Sequence, residues 1–160
     1  MTLEKYQKKR KFSSPDGEAG KTPEPRGKVG KSKDGEGRFV IQEHDASHLH
    51  YDLRLEIDGV LKSWAVPKEP AKTVGLKRLA MQTEDHPIEY IDFEGVIPEG
   101  NYGAGTVKVW DSGKFKMLRD SKPRPEEGNL LFELTGKKLK GNYALIHTGD
   151  KKWLFFKMKA

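Results

Sequence analysis

The sequence predicts an all-β protein, mainly an antiparallel β-barrel with short flanking helices or turns. Three observations predict it. Short runs of alternating apolar and polar residues recur from residue 39 to residue 160, tight-turn residues separate them, and no segment sustains a helical period. The first run is Arg38–His44. Tyr51–Ile57 and Val60–Val66 flank Asp58-Gly59, a dipeptide suited to the left-handed residues of a tight hairpin. Arg78–Thr83 and Tyr90–Glu94 follow. Gly105–Trp110 and Lys114–Arg119 flank the turn-type residues Asp111-Ser112-Gly113. Asn129–Thr135 and Asn142–Thr148 come next, and Lys152–Lys157 closes the series after Gly149-Asp150. Segments 67–77 and 120–128, rich in Pro with Lys or Glu, read as loops or short helical turns.

Charge divides the chain in two. Of 160 residues with net charge +6, residues 1–38 hold 11 Lys/Arg against 6 Asp/Glu, and residues 39–160 hold 19 against 18. The first segment has only Tyr6 and Phe12 as aromatics and is rich in Gly and Pro. Its apolar surface is too small to offset ~1–2 kcal/mol per residue of backbone ordering. Residues 1–38 therefore read as a basic, partly disordered arm suited to phosphate contacts, or as a solubilising tail, and residues 39–160 as the barrel domain. The chain has no cysteine, which excludes disulfides and thiolate metal sites, and no apolar run approaches the ~18 residues of a membrane span. An intracellular, cytoplasmic protein without membrane contact is the expectation.

One strand has two unlike faces. Leu53, Leu55 and Ile57 point one way, and His50, Asp52, Arg54, Glu56 and Asp58 the other. A half-buried strand with a solvated polar side is one reading. The order His-Asp-Arg supports another, because it sets an imidazole, a carboxylate and a guanidinium side by side. His44 ends the preceding strand, and a short return through Asp45–Leu49 turns it towards His50. His44, His50 and Asp52 then make a three-ligand metal site with positions left open for water or substrate.

A second cluster is Glu84-Asp85-His86-Pro87-Ile88-Glu89-Tyr90. Pro87 biases His86 towards extended backbone, which places His86 on a loop just beyond a strand end. A structural loop histidine and a catalytic one both fit that position. Val96–Gly105 is glycine-rich but lacks the strand–loop–helix context of a phosphate-binding loop, and reads better as structural turns.

Together these residues resemble the 3′-phosphoesterase domain of bacterial DNA ligase D and its free-standing relatives. The resemblance runs through His44–Glu56, Ser63–Lys68, Glu84–Tyr90, Ile97–Val107 and Trp153–Lys157, and includes the arm at Tyr6–Phe12 and Thr22–Pro25. No ligase or polymerase module is attached, which reads as a free-standing member. The resemblance implies a metal-dependent hydrolase, typically with Mn2+, that heals 3′ ends of DNA or RNA-tipped DNA on a primer-template duplex. It implies removal of a 3′-terminal ribonucleoside and then of the 3′-phosphate, leaving a 3′-hydroxyl. A separate DNA ligase and end-joining proteins are the partners it implies. Carried over residue by residue, it places the metal on His44, His50 and Asp52. Phosphate handling falls to Arg54, His86 and Tyr90, with supporting roles for Lys68, Arg78 and Glu84. His48 is not among the ligands.

The chemistry of these residue types agrees. Phosphate ester cleavage needs charge neutralised on the non-bridging oxygens and a nucleophile held in line. Arg54 offers a planar fork that Lys does not reproduce. His86 suits a donor or general acid. Tyr90, as an ordinary phenol of pKa ~10, suits a neutral donor. A non-catalytic nucleic-acid-binding barrel and a small-molecule metalloenzyme of the cupin kind are the competing readings. The His-x-Asp-x-Arg face argues against the first, and the charge asymmetry against the second.

Overall fold

The computed structural model describes residues 35–101 and 104–159. Most of the basic arm, residues 1–34, therefore lies outside the described residues. The barrel's strands are β1 (Glu36–Asp45), β2 (Leu49–Ile57), β3 (Val60–Val66), β4 (Arg78–His86), β5 (Gly95–Ile97), β6 (Gly105–Met117), β7 (Leu130–Gly136), β8 (Lys140–Gly149) and β9 (Lys152–Lys157). Every strand pairing is antiparallel. The sheet runs β1-β2-β3-β4-β9-β8-β7-β6 and closes through β1–β6, giving an eight-stranded barrel with β5 as an extra strand on β6. The all-β barrel read from the sequence is the fold observed.

Closure follows from side-chain alternation. Phe39, Ile41, Leu53, Leu55, Trp64, Phe132, Tyr143 and Phe155 point inward and form one buried cluster. At ~25 cal/mol per Å2 of apolar surface removed from water, such side chains dominate the stability of a chain this poor in apolar residues. The Asp58-Gly59 hairpin forms as expected, with φ of 54° and 81° at its two residues. The segment 120–128 contains a short 3-10 helix, Pro125–Glu127.

Three expectations are corrected. The strand expected at Tyr90–Glu94 is instead a 3-10 helix, Ile88–Asp92. Its apolar residues Ile88, Tyr90 and Ile91 pack on Val40 and Leu61 outside the barrel, so they cover a sheet and do not join one. The turn expected at Asp111-Ser112-Gly113 is absent, because β6 runs straight through it. Asp111 is buried and accepts from the backbone N–H groups of Lys137, Lys138 and Leu139, capping the β7–β8 turn of another hairpin. Gly113 serves close approach, since a Cβ there would meet the Thr135 carbonyl oxygen. A β-bulge between the Ile41 and Gln42 pairings lets the long β6 change face beside Trp110. The third correction is that His86 is the last residue of β4 and does not stand on the following loop.

Candidate active site on the outer wall of the barrel

The polar side of β2 is not solvated. Asp52, Arg54 and Glu56 are 7%, 4% and 5% exposed, which excludes the half-buried strand with a wet face. Asp52 and Arg54 are covered by the chain that leaves β4, through the 3-10 helix Ile88–Asp92 and the β5 turns, while Glu56 is held by Arg38 at 3.1 Å. Between wall and cover lies a pocket of about 760 Å3, lined by His44, His50, Asp52, Arg54, His86 and Tyr90. All six residues assigned to metal and phosphate thus meet in one pocket. From the glycine-rich run, residues 96–100, Ala104 and Gly105 form the opposite rim, where Gly100 and Gly105 take φ of 90° and 133°. Among the described residues, none of Lys68, Arg78 and Glu84 lines this pocket. Lys68 is exposed. The Arg78 Nε donates to the Glu69 carbonyl at 2.8 Å, and Glu84 offers its carbonyl to the His86 ring.

Strand register assembles the site. His44 pairs directly with His50, Gln42 with Asp52, and Val40 with Arg54 across β1–β2. On the next strand Arg54 faces Ser63, and Leu61 faces His86 on β4. The two imidazole centroids are 4.7 Å apart. Asp52 is shared between them: one carboxylate oxygen lies 3.5 Å from His44 Nδ1, the other 3.3 Å from His50 Nε2. The His50 Nδ1–H donates to the His48 carbonyl at 3.1 Å, which orients the ring and turns Nε2 towards Asp52. Burial opposes the charge on Asp52, but hydrogen bonds from His44 and His50 and the Arg54 guanidinium outweigh it, holding the carboxyl well below the usual range. The hydrogen bond to Asp52 raises His50, against the opposing effect of its burial. Ligand atoms of His44, His50 and Asp52 all lie within 4.8 Å of one another, a spacing and donor set that fit one divalent ion of the Mn, Fe or Zn kind.

The side of the pocket that carries Arg54, His86 and Tyr90 is a network that sequence reasoning saw only in part. Arg54 Nε donates to Gln42 Oε1 at 2.7 Å, and a terminal nitrogen donates to Ser63 Oγ at 2.9 Å. The other terminal nitrogen stands 3.5 Å from Asp52. Gln42 is fully buried, and its amide donates to the Tyr90 and Phe93 carbonyls at 3.0 and 3.2 Å. One side chain thereby ties Arg54 to the helix that carries Tyr90. The guanidinium carbon lies 5.0 Å from the Tyr90 ring centroid, and Tyr90 stacks on Phe93 at 4.7 Å. His86 Nδ1 donates to the Glu84 carbonyl at 2.9 Å and lies 3.4 Å from Ser63 Oγ. Gln42 and Ser63 were missed because an amide and a hydroxyl carry little chemical signal alone. The available cue was position: Gln42 is two residues from His44 on the same strand face, opposite Asp52.

The fold and site together are those of a small closed β-barrel domain with a His-His-Asp group and a clamped arginine on one covered wall. A family model described as the DNA Ligase D 3′-phosphoesterase domain matches residues 42–147. The chain belongs to that family. It is 49% identical to the multifunctional non-homologous end joining protein LigD of Pseudomonas aeruginosa over 162 residues, 98% of this chain and 18% of that protein. It is 50% identical to the protein of the same name from Mycolicibacterium smegmatis over 148 residues, 89% of this chain and 19% of that one. The multifunctional non-homologous end joining DNA repair protein LigD of Mycobacterium tuberculosis is 48% identical over 145 residues. The chain spans less than a fifth of the length of these relatives. Among the described residues, no helix is long and apolar enough to cross a membrane.

Proposed function

We propose that this chain is a manganese-dependent 3′-end-healing phosphoesterase of intracellular DNA repair. It removes a 3′-terminal ribonucleoside and then the remaining 3′-phosphate, so that a DNA ligase receives a 3′-hydroxyl. The observation that carries this reading is the single pocket that joins His44, His50 and Asp52 to Arg54, His86 and Tyr90. His44, His50 and Asp52 hold the divalent ion, which when bound supplies Lewis acidity to a phosphate oxygen and lowers the pKa of a bound water. Arg54 has three donor directions committed, to Gln42, Ser63 and Asp52. The remaining hydrogen on each terminal nitrogen meets the phosphate, with the fork already fixed in place. Tyr90 donates its hydroxyl to a second oxygen as a neutral group. His86, its tautomer set by the Glu84 carbonyl, donates to the phosphate or delivers a proton to the leaving oxygen. Lys68, Arg78 and Glu84 act from outside the pocket, and residues 1–38 add phosphate contacts along the duplex.

The experiment is phosphate release from a primer-template with a 3′-phosphate, and nucleoside release from one with a 3′-terminal ribonucleotide, each with manganese and with chelator. Release in both, abolished by chelator, is the expected result. Tight duplex binding without release in either would make the chain a non-catalytic nucleic-acid-binding barrel.

A further inference from the structure

We infer that Lys62 and Asp85 are positioning residues for His86. Their ion pair pins a one-residue bulge in β4, and that bulge turns the His86 ring away from the barrel interior and into the pocket. This rests on the phosphoesterase reading above and adds to it how the histidine is brought to the phosphate.

The register carries the inference. Ala65 pairs with Met81, Trp64 with Gln82 and Ser63 with Thr83 in unbroken order, and then Leu61 pairs with His86. Two residues of β4, Glu84 and Asp85, therefore stand opposite one residue of β3, Lys62. Alternation before the bulge is regular. Ala80 packs in the interior cluster, and Gln82 accepts from the indole of Trp153 there, while Thr83 lines the pocket. Continued without an extra residue, this alternation would set Asp85 opposite Leu61 on the pocket side and turn His86 inward. With the extra residue, His86 stands opposite Leu61 and lines the pocket with Thr83. The Glu84 carbonyl that holds the His86 ring at 2.9 Å belongs to the bulge itself.

Lys62 is the fixed end of the tie. It lies on β3, which is paired on both sides, opposite Leu55 of the interior cluster. Its side chain is only 11% exposed. The ammonium donates to Asp85 Oδ2 at 3.1 Å and to Glu126 Oε2 at 2.8 Å. Burial opposes its charge, but the hydrogen bonds to Glu126 and Asp85 outweigh burial and raise Lys62 above the usual lysine range. Glu126 comes from the 3-10 helix Pro125–Glu127, and the residue before that helix, Arg124, clasps Asp58 of the β2–β3 turn. Asp85 is thus the one contact through which this charged cluster reaches the bulge, and an ammonium this buried loses heavily when a partner is withdrawn.

The test uses the full chain, with manganese for turnover and without it for nuclear magnetic resonance. A buried His86 Nδ1–H bonded to a carbonyl gives a slowly exchanging ring-proton signal in isotope-labelled protein, a readout independent of turnover. His86→Ala identifies that signal by its loss. Asp85→Ala should lose it too, and should lower kcat for phosphate release about tenfold to hundredfold, with KM and manganese content unchanged. Asp85→Asn keeps an oxygen for Lys62 and should restore the signal and most of the rate. Arg124→Ala, which opens the neighbouring ion pair without touching β4, should leave both at parental values. A parental ring signal and rate in Asp85→Ala overturn the inference. So does an equal loss in Arg124→Ala, which would make the effect one of general stability. Asp85→Asn as slow as Asp85→Ala also overturns it, because the carboxylate charge and not the tie would then matter. The two readings separate cleanly. A ring signal that depends on Asp85 in a chain that releases no phosphate sustains the tie and refutes the hydrolase. Phosphate release with a ring signal indifferent to Asp85 does the reverse.

Discussion

The two faces of β2 are both buried, yet they are held by different physics. Leu53 and Leu55 enter an interior sealed by undirected packing. Asp52 and Arg54 enter a wall where each polar atom needs a partner at a set distance and angle. The interior resists loss of volume, and the wall resists loss of a single atom. Stability resides in the interior and chemistry in the wall: the core that closes the barrel contains none of the buried charge cluster.

The largest effect is expected of Asp52→Ala. It removes the carboxylate between two imidazoles and a guanidinium, so metal content and both activities should fall to background while the β-sheet circular dichroism persists. Retained manganese with retained activity would place the metal elsewhere. Next is Phe132→Ala, on the interior side. It should cost ~3–5 kcal/mol of stability by urea titration, with activity per folded molecule unchanged. A loss of activity in the folded protein would show that the wall leans on the core more than its contacts indicate.

Within the wall, Arg54→Lys keeps the charge but loses the fork. It should slow phosphate release by about 10²–10³-fold with metal content intact. Gln42→Ala removes only the clamp and should cost about 10–100-fold. A Gln42→Ala rate equal to that of the parent would mean Arg54 orients itself. The smallest expected effect is on the interior side. Burial holds the Tyr143 phenol up to about 12, and its hydroxyl donates to the Ala71 carbonyl at 3.0 Å. A folded pKa above the unfolded value near 10 gives stability that is complete below about pH 10 and is lost as pH rises towards 12. Tyr143→Phe should flatten that alkaline decline in the melting temperature. An unchanged decline would assign it to the lysines.

The sequence made the strands, the Asp58-Gly59 hairpin and the His44–His50 meeting legible, because each depends on a few adjacent residues. Apolar alternation cannot say whether a polar face meets water or a second layer, so the cover over Asp52 and Arg54 stayed hidden. Ile88, Tyr90 and Ile91 form that cover by packing on Val40 and Leu61, contacts across some thirty to fifty residues of chain. Asp111 and Gly113 misled for the same reason: their turn-like identities serve another hairpin, which register alone reveals. Lys68, Arg78 and Glu84 came from family likeness, and their places outside the pocket give no local cue to a role.

Barrel closure has a consequence for solubility. An open sheet offers two rows of unpaired backbone groups to any passing chain, a template for polymerisation. Here β1 and β6 satisfy each other, and the strand left at an edge is β5, which has three residues. Gly95 begins it at φ 154°, and Pro98 follows it directly with no N–H to donate. Glu94 and Glu99 flank the same stretch. Among the described residues, a protein with so thin a core thus presents almost no edge on which aggregates can grow.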